Sequence, residues 1–234
     1  MAFPTDSFAV PPATRRRLTI SQLRSNLMGP VITPDDPEYD TVRLTLSREA
    51  VRRPALIVRP RDELDVSQVV SMARESGLEL AIRSGGHSLH GFSTSEGGVV
   101  LDLSLMNSFK LNIGQRSAWA GAGLTAGEYT HKAAEYGLAT GFGDTATVGI
   151  GGLTTGGGIG YLVRKYGLTI DNLLAARVVT ADGQIRHVDA ETHPDLFWAI
   201  RGGGGNFGVV THFKFQLHPV STIVGGMLIL PPRA

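Results

Sequence analysis

The chain of 234 residues is 42% hydrophobic, so it can bury one large core or two smaller ones. Its 22 Lys and Arg nearly balance 21 Asp and Glu, and a net charge of +1 gives no electrostatic reason to expect binding to nucleic acid or to an anionic membrane. The absence of cysteine excludes disulfides, thiol nucleophiles and cysteine-based metal sites.

The first half of the chain predicts short strands and helices after an irregular lead-in over residues 1–49. The lead-in contains one predicted helix, at Ile20 to Met28. Apolar residues then recur at helical spacing after Asp65, which we expect to cap this helix, and Gly77 is expected to end it. Three apolar runs predict strands at 55–58, 78–82 and 99–103.

The second half predicts two more helices and a further set of strands. Thr125 and Glu128 form a capping box that opens a helix ending before Gly137, and another helix runs from Pro194 to Ile200. The last strand alternates apolar and polar residues from Val209 onward, so one of its faces is predicted to be buried. The predicted strands lie at 117–120, 173–180, 184–188 and 209–217. Together the elements predict a mixed helix and sheet chain in two lobes, divided near residue 110.

Glycine is unusually frequent, and its 30 residues are concentrated in a few loops. The loop from Arg83 to Ser88 follows a predicted strand. Its small residues let several backbone N–H groups point into one concavity that suits an anion such as pyrophosphate. A plain Gly-Gly turn with an exposed histidine is the alternative. The segment from Thr147 to Gly160 has too many glycines for a stable ordinary helix, which predicts backbone pressed against a flat or charged ligand or, alternatively, a flexible surface loop.

Two other glycine motifs carry less information. Gly121 to Ala126 matches G-x-G-x-x-A between a predicted strand and helix, and Asp144 lies about where a Rossmann turn needs its ribose-binding acid. However, the second parallel strand that should end in that acid is missing. Gly202 to Gly205 lacks the Lys-Ser/Thr ending of a P-loop. The seven histidines are scattered, so no metal site is predicted.

Three longer segments, in the same order along the chain, resemble the vanillyl-alcohol oxidase / para-cresol methylhydroxylase superfamily. They are IRSGGHSLHGFSTSEGGVVLDLSLMN (82–107), TVGIGGLTTGGGIGYLVRKYGLTIDNLLAARVVTADG (147–183) and HPDLFWAIRGGGGNFGVVTHFKF (193–215). They most resemble the branch of the berberine bridge enzyme and 6-hydroxy-D-nicotine oxidase. The resemblance covers residues 50–220 and implies an α+β, para-cresol methylhydroxylase-type FAD-binding domain. Its two subdomains, about 50–110 and 111–220, would clamp FAD between them.

The resemblance also implies roles for single residues. In this family the loop that matches Arg83 to Ser88 holds the pyrophosphate with backbone amides, and the histidine at the place of His87 is joined covalently to the flavin 8α-methyl carbon. The stretch from Val148 to Gly152 is expected to run along the cofactor, and Val209 is expected to meet its adenine end. The residues expected to bind FAD are therefore Arg83, Ser84, Gly85, Gly86, His87, Ser88, Val148, Gly149, Gly151, Gly152, Gly158 and Val209.

Two departures from the family pattern limit what the resemblance implies. Some relatives make a second covalent bond through a cysteine where this chain has Thr145, so attachment at two points is excluded. Family members are also roughly twice as long, and residues 221–234 are expected to begin a truncated substrate domain. Since the catalytic base in this family usually comes from the absent half, no catalytic residue is assigned.

The expected activity is that of an FAD-dependent oxidase, which takes a hydride from an alcohol or amine carbon to flavin N5 and passes the electrons to oxygen to give hydrogen peroxide. A truncated, non-catalytic FAD-binding module is the alternative, and a nicotinamide dehydrogenase built on the turn 121–126 is a third hypothesis.

The expected partners are a small-molecule substrate and oxygen, without nucleic acid, membrane or metal. With no recognisable signal peptide and no apolar run of membrane-spanning length, we expect a cytoplasmic location. Phe213, Phe215 and the apolar tail from Met227 to Leu230 are predicted to expose surface that drives self-association of the chain.

Overall fold

The first of the two larger β-sheets is built from the N-terminal half of the chain. The computed structural model describes residues 19–46, 51–221 and 230. The strands of this half are β1 (Val31–Ile32), β2 (Leu56–Val58), β3 (Leu80–Arg83) and β4 (Val99–Asp102), and its helices are α1 (Ile20–Asn26), α2 (Tyr39–Val42) and α3 (Glu63–Ser76). In space the strands follow the order β1-β2-β4-β3, with β2, β4 and β3 parallel and β1 antiparallel to β2. Because β1 precedes residue 50, the lead-in supplies a strand to this sheet and is not irregular outside its helix.

The helix α3 begins earlier than predicted. The side chain of Asp62 caps it and accepts two N–H groups of the first turn, at 3.0 and 2.9 Å. The expected cap, Asp65, is buried and instead accepts three N–H groups from the lead-in and the preceding loop. The pattern could not separate the two, because a carboxylate stands at both positions. Gly77 ends the helix with a φ of 65°, as predicted.

The second sheet is antiparallel and comes from the C-terminal half. The strands of this half are β5 (Phe109–Asn112), β6 (Ser117–Gly121), β7 (Leu138–Ala139), β8 (Leu173–Val179), β9 (Ile185–Asp189), β10 (Val209–Gln216) and β11 (His218–Pro219), and its helices are α4 (Ala126–Ala134), α5 (Ile150–Thr155), α6 (Val163–Tyr166) and α7 (Pro194–Ala199). Five strands form the sheet in the order β5-β6-β10-β8-β9, and β7 pairs with β11. The predicted capping box of α4 is confirmed. Among the described residues, no helix is long and apolar enough to cross a membrane.

The core of the second half lies on one face of β10, as the alternating sequence predicts. Phe213 and Phe215 are 0% exposed. The ring of Phe215 packs edge-on against Tyr129 and Phe142, with centroids 5.6 and 5.4 Å away. The expectation that these two phenylalanines expose apolar surface is therefore wrong. In the predicted apolar tail, residues 227–229 lie outside the described residues.

Gly121 and Gly123 allow two backbone segments of the chain to pack closely against each other. The strand β6 leads into this turn and has antiparallel neighbours on both sides, whereas a Rossmann turn needs a parallel one. A Cβ at Gly121 would collide with the carbonyl of Met106, and one at Gly123 with that of Leu103. Asp144 is exposed in a bend. The turn therefore lacks the surroundings of a dinucleotide-binding motif.

The glycine-rich segment 147–160 contains the helix α5, which contradicts the expectation that it could not be helical. Two of its residues, Ile150 and Thr154, are fully buried. The N–H of Ile150 donates to the carbonyl of Leu124 at 2.9 Å, which fixes the start of the helix. Each helical glycine costs roughly 1 kcal/mol relative to alanine, and packing of the buried residues overrides that loss here.

Helix α3 joins the two halves of the molecule. Near its N-terminus, the Glu63 carboxylate contacts Arg177 of β8 at 2.5 Å and His212 of β10 at 3.0 Å. Ser67 and Arg74 donate to backbone carbonyls of the turn between β8 and β9, at 2.5 and 3.0 Å. These contacts hold the two sheets on either side of a cavity.

Candidate functional site

A cavity of about 560 Å³ lies between the two halves. Its walls come from β3 and the loop after it, from α5 and the residues before it, and from the beginning of β10. The structure brings ten of the twelve sequence-predicted residues to this cavity, namely Ser84, Gly85, Gly86, His87, Ser88, Val148, Gly149, Gly151, Gly152 and Val209.

Two predicted residues do not line the cavity. The side chain of Arg83 is buried and donates to the carbonyl of Val42 at 2.6 Å and to that of Ser93 at 3.2 Å. Burial lowers the pKa of Arg83, while the charge of Asp102 opposes that shift. Gly158 has a φ of 76°, and a Cβ there would collide with the side chain of Thr169. Both residues therefore contribute to the conformation of the loops around the cavity without lining it.

The first wall is the loop from Ser84 to Ser88. Gly86 lies in the left-handed region with a φ of 71°, which glycine adopts without strain. In the described part of the chain, no acceptor pairs with the backbone N–H groups of residues 85–88. His87 is half-buried on the cavity wall. Free N–H groups on consecutive residues form a neutral surface that binds anions.

The second wall is held against the first by Ser84. Its hydroxyl donates to the carbonyl of Ala122 at 2.6 Å and accepts the N–H of Gly151 at 3.2 Å. Gly85 and Gly149 lie so close that a Cβ on either would collide with the backbone of the other. The two glycine loops therefore meet backbone to backbone, and the Ser84 side chain is engaged within the protein.

Sequence reasoning missed part of the lining. Gly204, Gly205 and Gly208 border the cavity, although the run 202–205 matches only an incomplete P-loop in the sequence. The signal that could have identified these glycines is their position just before Val209, which is itself predicted to bind FAD. Phe92 and Ser93 were also missed, because five residues of ordinary loop composition separate them from the Gly-Gly pair.

A comparison with protein families identifies the kind of site. A family model described as an FAD binding domain matches residues 54–189, more than half of the chain. The chain belongs to this FAD-binding family. The prediction of an FAD-linked oxidase family with an α+β FAD-binding domain is thereby confirmed.

Individual relatives of this FAD-binding chain are oxidoreductases. It is 42% identical over 193 residues to (R)-6-hydroxynicotine oxidase of Paenarthrobacter nicotinovorans, which covers 82% of this chain and 42% of that protein. Its fold matches that of Physcomitrella patens BBE-like 1 with a TM-score of 0.84 and 33% identity, over 87% of this chain and 45% of that one. The chain thus spans less than half the length of the relatives it matches.

One structural relative bears on how the cofactor is attached. Glucooligosaccharide oxidase of Acremonium strictum has a TM-score of 0.76 and 32% identity over 81% of this chain and 40% of that one. Its structure is described as holding a 6-S-cysteinyl, 8α-N1-histidyl FAD. A histidine on the cavity wall is present in this chain and cysteine is absent.

The cavity residues fit FAD, which has a charged pyrophosphate and a flat ring system. The unpaired N–H groups of residues 85–88 suit the pyrophosphate. At Gly152 and Gly205 a Cβ would meet nothing within 4 Å, so the backbone leaves open space where a ligand can approach. The two features match the charged and the flat parts of the cofactor.

Proposed function

We propose that this chain is the FAD-binding part of an oxidase that acts on an alcohol or amine carbon of a small molecule. When bound, FAD would supply the hydride acceptor at N5 and pass the electrons to oxygen with release of hydrogen peroxide. The observation that carries the proposal is the cavity walled by two glycine loops, in a chain that matches FAD-linked oxidases.

The chain's own residues would bind the cofactor through backbone more than side chains. The N–H groups of residues 85–88 would hold the pyrophosphate, because these residues line the cavity and their N–H groups have no partner among the described residues. The stretch from Val148 to Gly152 would run along the cofactor, and Val209 would lie at its adenine end. Support for these roles comes from the position of all three segments on one cavity.

His87 would carry a single covalent link to the 8α-methyl carbon of the flavin. Its imidazole lines the cavity directly after the Gly-Gly pair, so the ring and the backbone nest can serve one ligand. Thr145 stands where some relatives have a cysteine, and a hydroxyl cannot replace the thiolate as a second attachment point.

The proposed activity is that of a whole protein, and this chain contributes the cofactor-binding part to it. The chain spans less than half the length of the relatives it matches, and no residue here is assigned as the catalytic base. The part that this chain would play is to bind and orient the cofactor.

The test combines an absorption spectrum with two assays on a panel of alcohols and amines. The proposal predicts a bound flavin, bleaching of that flavin by a substrate without air, and stoichiometric hydrogen peroxide with air, measured in a protein that includes the remaining half. A bound flavin that no panel compound reduces would instead favour the non-catalytic FAD-binding module. A protein that binds a nicotinamide nucleotide and no flavin would overturn both.

A further inference from the structure

The lead-in packs on the first sheet, on the face that is turned away from the cavity. Leu80 and Ile82 of β3 line the cavity, whereas Ala81 between them points to the other side of the sheet. On that side lies a small core of five buried residues, two from the lead-in and three from the strands, namely Ile32, Tyr39, Ile57, Ala81 and Val100. The lead-in is therefore anchored by its own buried contacts.

The last part of the lead-in is tied to the sheet by hydrogen bonds as well. The hydroxyl of Tyr39, which is 1% exposed, donates to the carbonyl of Pro54 at 2.6 Å. The guanidinium of Arg83, at the end of β3, donates to the carbonyls of Val42 and Arg43 at 2.6 and 3.4 Å. These bonds fix the position of α2 and of the residues that follow it.

From α2 the lead-in reaches the loop that follows β3. The backbone N–H of Leu46 donates to the carbonyl of Gly86 at 3.1 Å. A Cβ at Gly86 would lie 3.9 Å from the Cα of Thr45. Gly86 and His87 line the cavity, whereas Thr45 and Leu46 do not. The lead-in thus contacts this loop from the side opposite the cavity.

The hydrogen bond from Leu46 determines the direction of one backbone N–H group. In a trans peptide, the carbonyl of one residue and the N–H of the next point in opposite directions. Because the carbonyl of Gly86 is directed to Leu46, the N–H of His87 is directed to the other side, where the cavity lies. Gly86 has no Cβ to restrict its backbone, so this peptide would turn over readily if the bond were absent.

We propose that Leu46 is a positioning residue for FAD, whose N–H holds the Gly86–His87 peptide in the orientation that presents the His87 N–H to the cofactor. This inference rests on the proposed function, in which the N–H groups of residues 85–88 hold the pyrophosphate. It makes binding of the cofactor depend on residues 39–46. These residues precede residue 54, where the match to the FAD-binding family begins.

The test compares Leu46→Pro, which removes the N–H, with Leu46→Ala, which keeps it. Both are made in a His87→Ala background, where FAD exchanges freely and its dissociation constant can be measured. Leu46→Pro should weaken FAD binding about five- to fiftyfold and change the visible circular dichroism of the bound flavin, because the N–H of residue 87 is no longer held toward it. The Leu46 side chain is 57% exposed, so Leu46→Ala should change neither quantity.

The melting temperature of each apoprotein separates positioning from a loss of the fold. Leu46→Pro should lower it by no more than about 5 °C, since one hydrogen bond is lost. A variant that melts lower but binds FAD with parental affinity would show that the bond serves the fold alone, and this would overturn the inference.

A backbone substitution covers the case in which Leu46→Pro does not fold. Replacing Leu46 by the α-hydroxy acid with the same side chain exchanges its N–H for an ester oxygen and imposes no proline ring. The same loss of FAD affinity is expected, and parental affinity would overturn the inference. If the His87→Ala parent and the unsubstituted chain both failed to bind FAD, the proposed function would fall as well.

Discussion

At the scale of single residues, the glycines of the two cavity loops differ in what a side chain would meet. A Cβ at Gly85 or Gly149 would strike the opposite loop, and Gly86 needs a φ of 71° that other residues adopt only with strain. Gly152 and Gly205 instead face open space. Substitution of Gly85, Gly86 or Gly149 therefore tests the stability of the fold. Substitution of Gly152 or Gly205 tests whether a ligand approaches the backbone there.

Gly152→Val should lower the affinity for FAD at least about tenfold, because the branched side chain fills space left for the cofactor. The free energy of unfolding of the apoprotein should change by less than about 0.5 kcal/mol. Titration with FAD and urea denaturation of the apoprotein measure the two effects. Gly114→Val, in a turn remote from the cavity, is the matched control and should leave FAD binding unchanged. Parental affinity in Gly152→Val would show that no ligand passes this point.

Gly85→Val is expected to behave in the opposite way. Its side chain would force the two glycine loops apart, so the apoprotein itself should lose about 2 kcal/mol or more of stability. Urea denaturation checks this expectation. A Gly85→Val apoprotein as stable as the parent would mean that the loops do not meet as the structure places them.

His87 should remain linked to the flavin after the protein is denatured in acid. His87 lines the cavity directly after the Gly-Gly pair, where a nitrogen of its ring can attack the 8α carbon of a bound flavin. Mass spectrometry of the tryptic peptide from Ser84 to Lys110 should show a flavin adduct that is lost in His87→Ala and kept in His90→Ala. Release of all the flavin as unmodified FAD from the fully loaded protein would contradict the link.

At the scale of elements, α3 is the connection on which the spacing of the two sheets depends. The Glu63 carboxylate accepts the hydroxyl of Thr211 at 2.8 Å as well as contacting Arg177 and His212. Burial raises the pKa of Glu63, but the hydrogen bonds from His212 and Thr211 and the charge of Arg177 outweigh it, so the pKa lies below its usual 4.5. The ionised carboxylate therefore stabilises the folded state.

Glu63→Gln should lower the free energy of unfolding at pH 7 by about 1–3 kcal/mol, since it removes the charge that Arg177 and His212 face. Because the pKa is lower in the folded than in the unfolded state, this contribution is complete above pH 4.5 and disappears as the pH falls through the lower folded value. The difference between variant and parent should shrink accordingly in denaturation curves measured at decreasing pH. Glu75→Gln, on the exposed side of the same helix, should match the parent throughout. A Glu63→Gln difference that stays constant down to pH 3 would contradict this role.

Some elements follow directly from the sequence and others do not. The alternation in β10 and the capping box at Thr125 are local patterns, and both are confirmed. The helix α5 could not be predicted, because packing of Ile150 and Thr154 overrides the low helix propensity of its glycines. The strand β1 could not be predicted from local sequence either, because its two residues form a strand only by pairing with β2.

At the scale of the whole molecule, the site is an assembly of segments that lie far apart in sequence. The segments around 85, 150 and 205 each contain glycines, and family resemblance predicted the first two as one site. The close approach of Gly85 to Gly149, and the separation of Arg83 from the cavity, depend on how the two sheets are docked. That docking is set by contacts such as those of α3, which no local pattern reveals.

Self-association stays a prediction for the chain on its own, but its basis shifts from Phe213 and Phe215 to other residues. Among the described residues, large apolar side chains that are at least three-quarters exposed include Phe92, Ile159, Tyr161 and Trp198. Exposed apolar surface favours association, and bound FAD should cover the part at the cavity. Light scattering over a range of concentrations should show oligomers of the apoprotein that FAD reduces. A monomer at every concentration without FAD would contradict the prediction.

Hydrogen–deuterium exchange with and without FAD tests the central claim, that one cofactor binds between the two glycine loops. The account predicts slower exchange in residues 84–92 and 148–155 together at one equivalent of FAD, since these two segments wall the same cavity. Residues 134–143, which line a separate pocket, should be unaffected. Protection confined to the turn at 121–126, or absent from either glycine loop while the flavin is bound, would contradict the account.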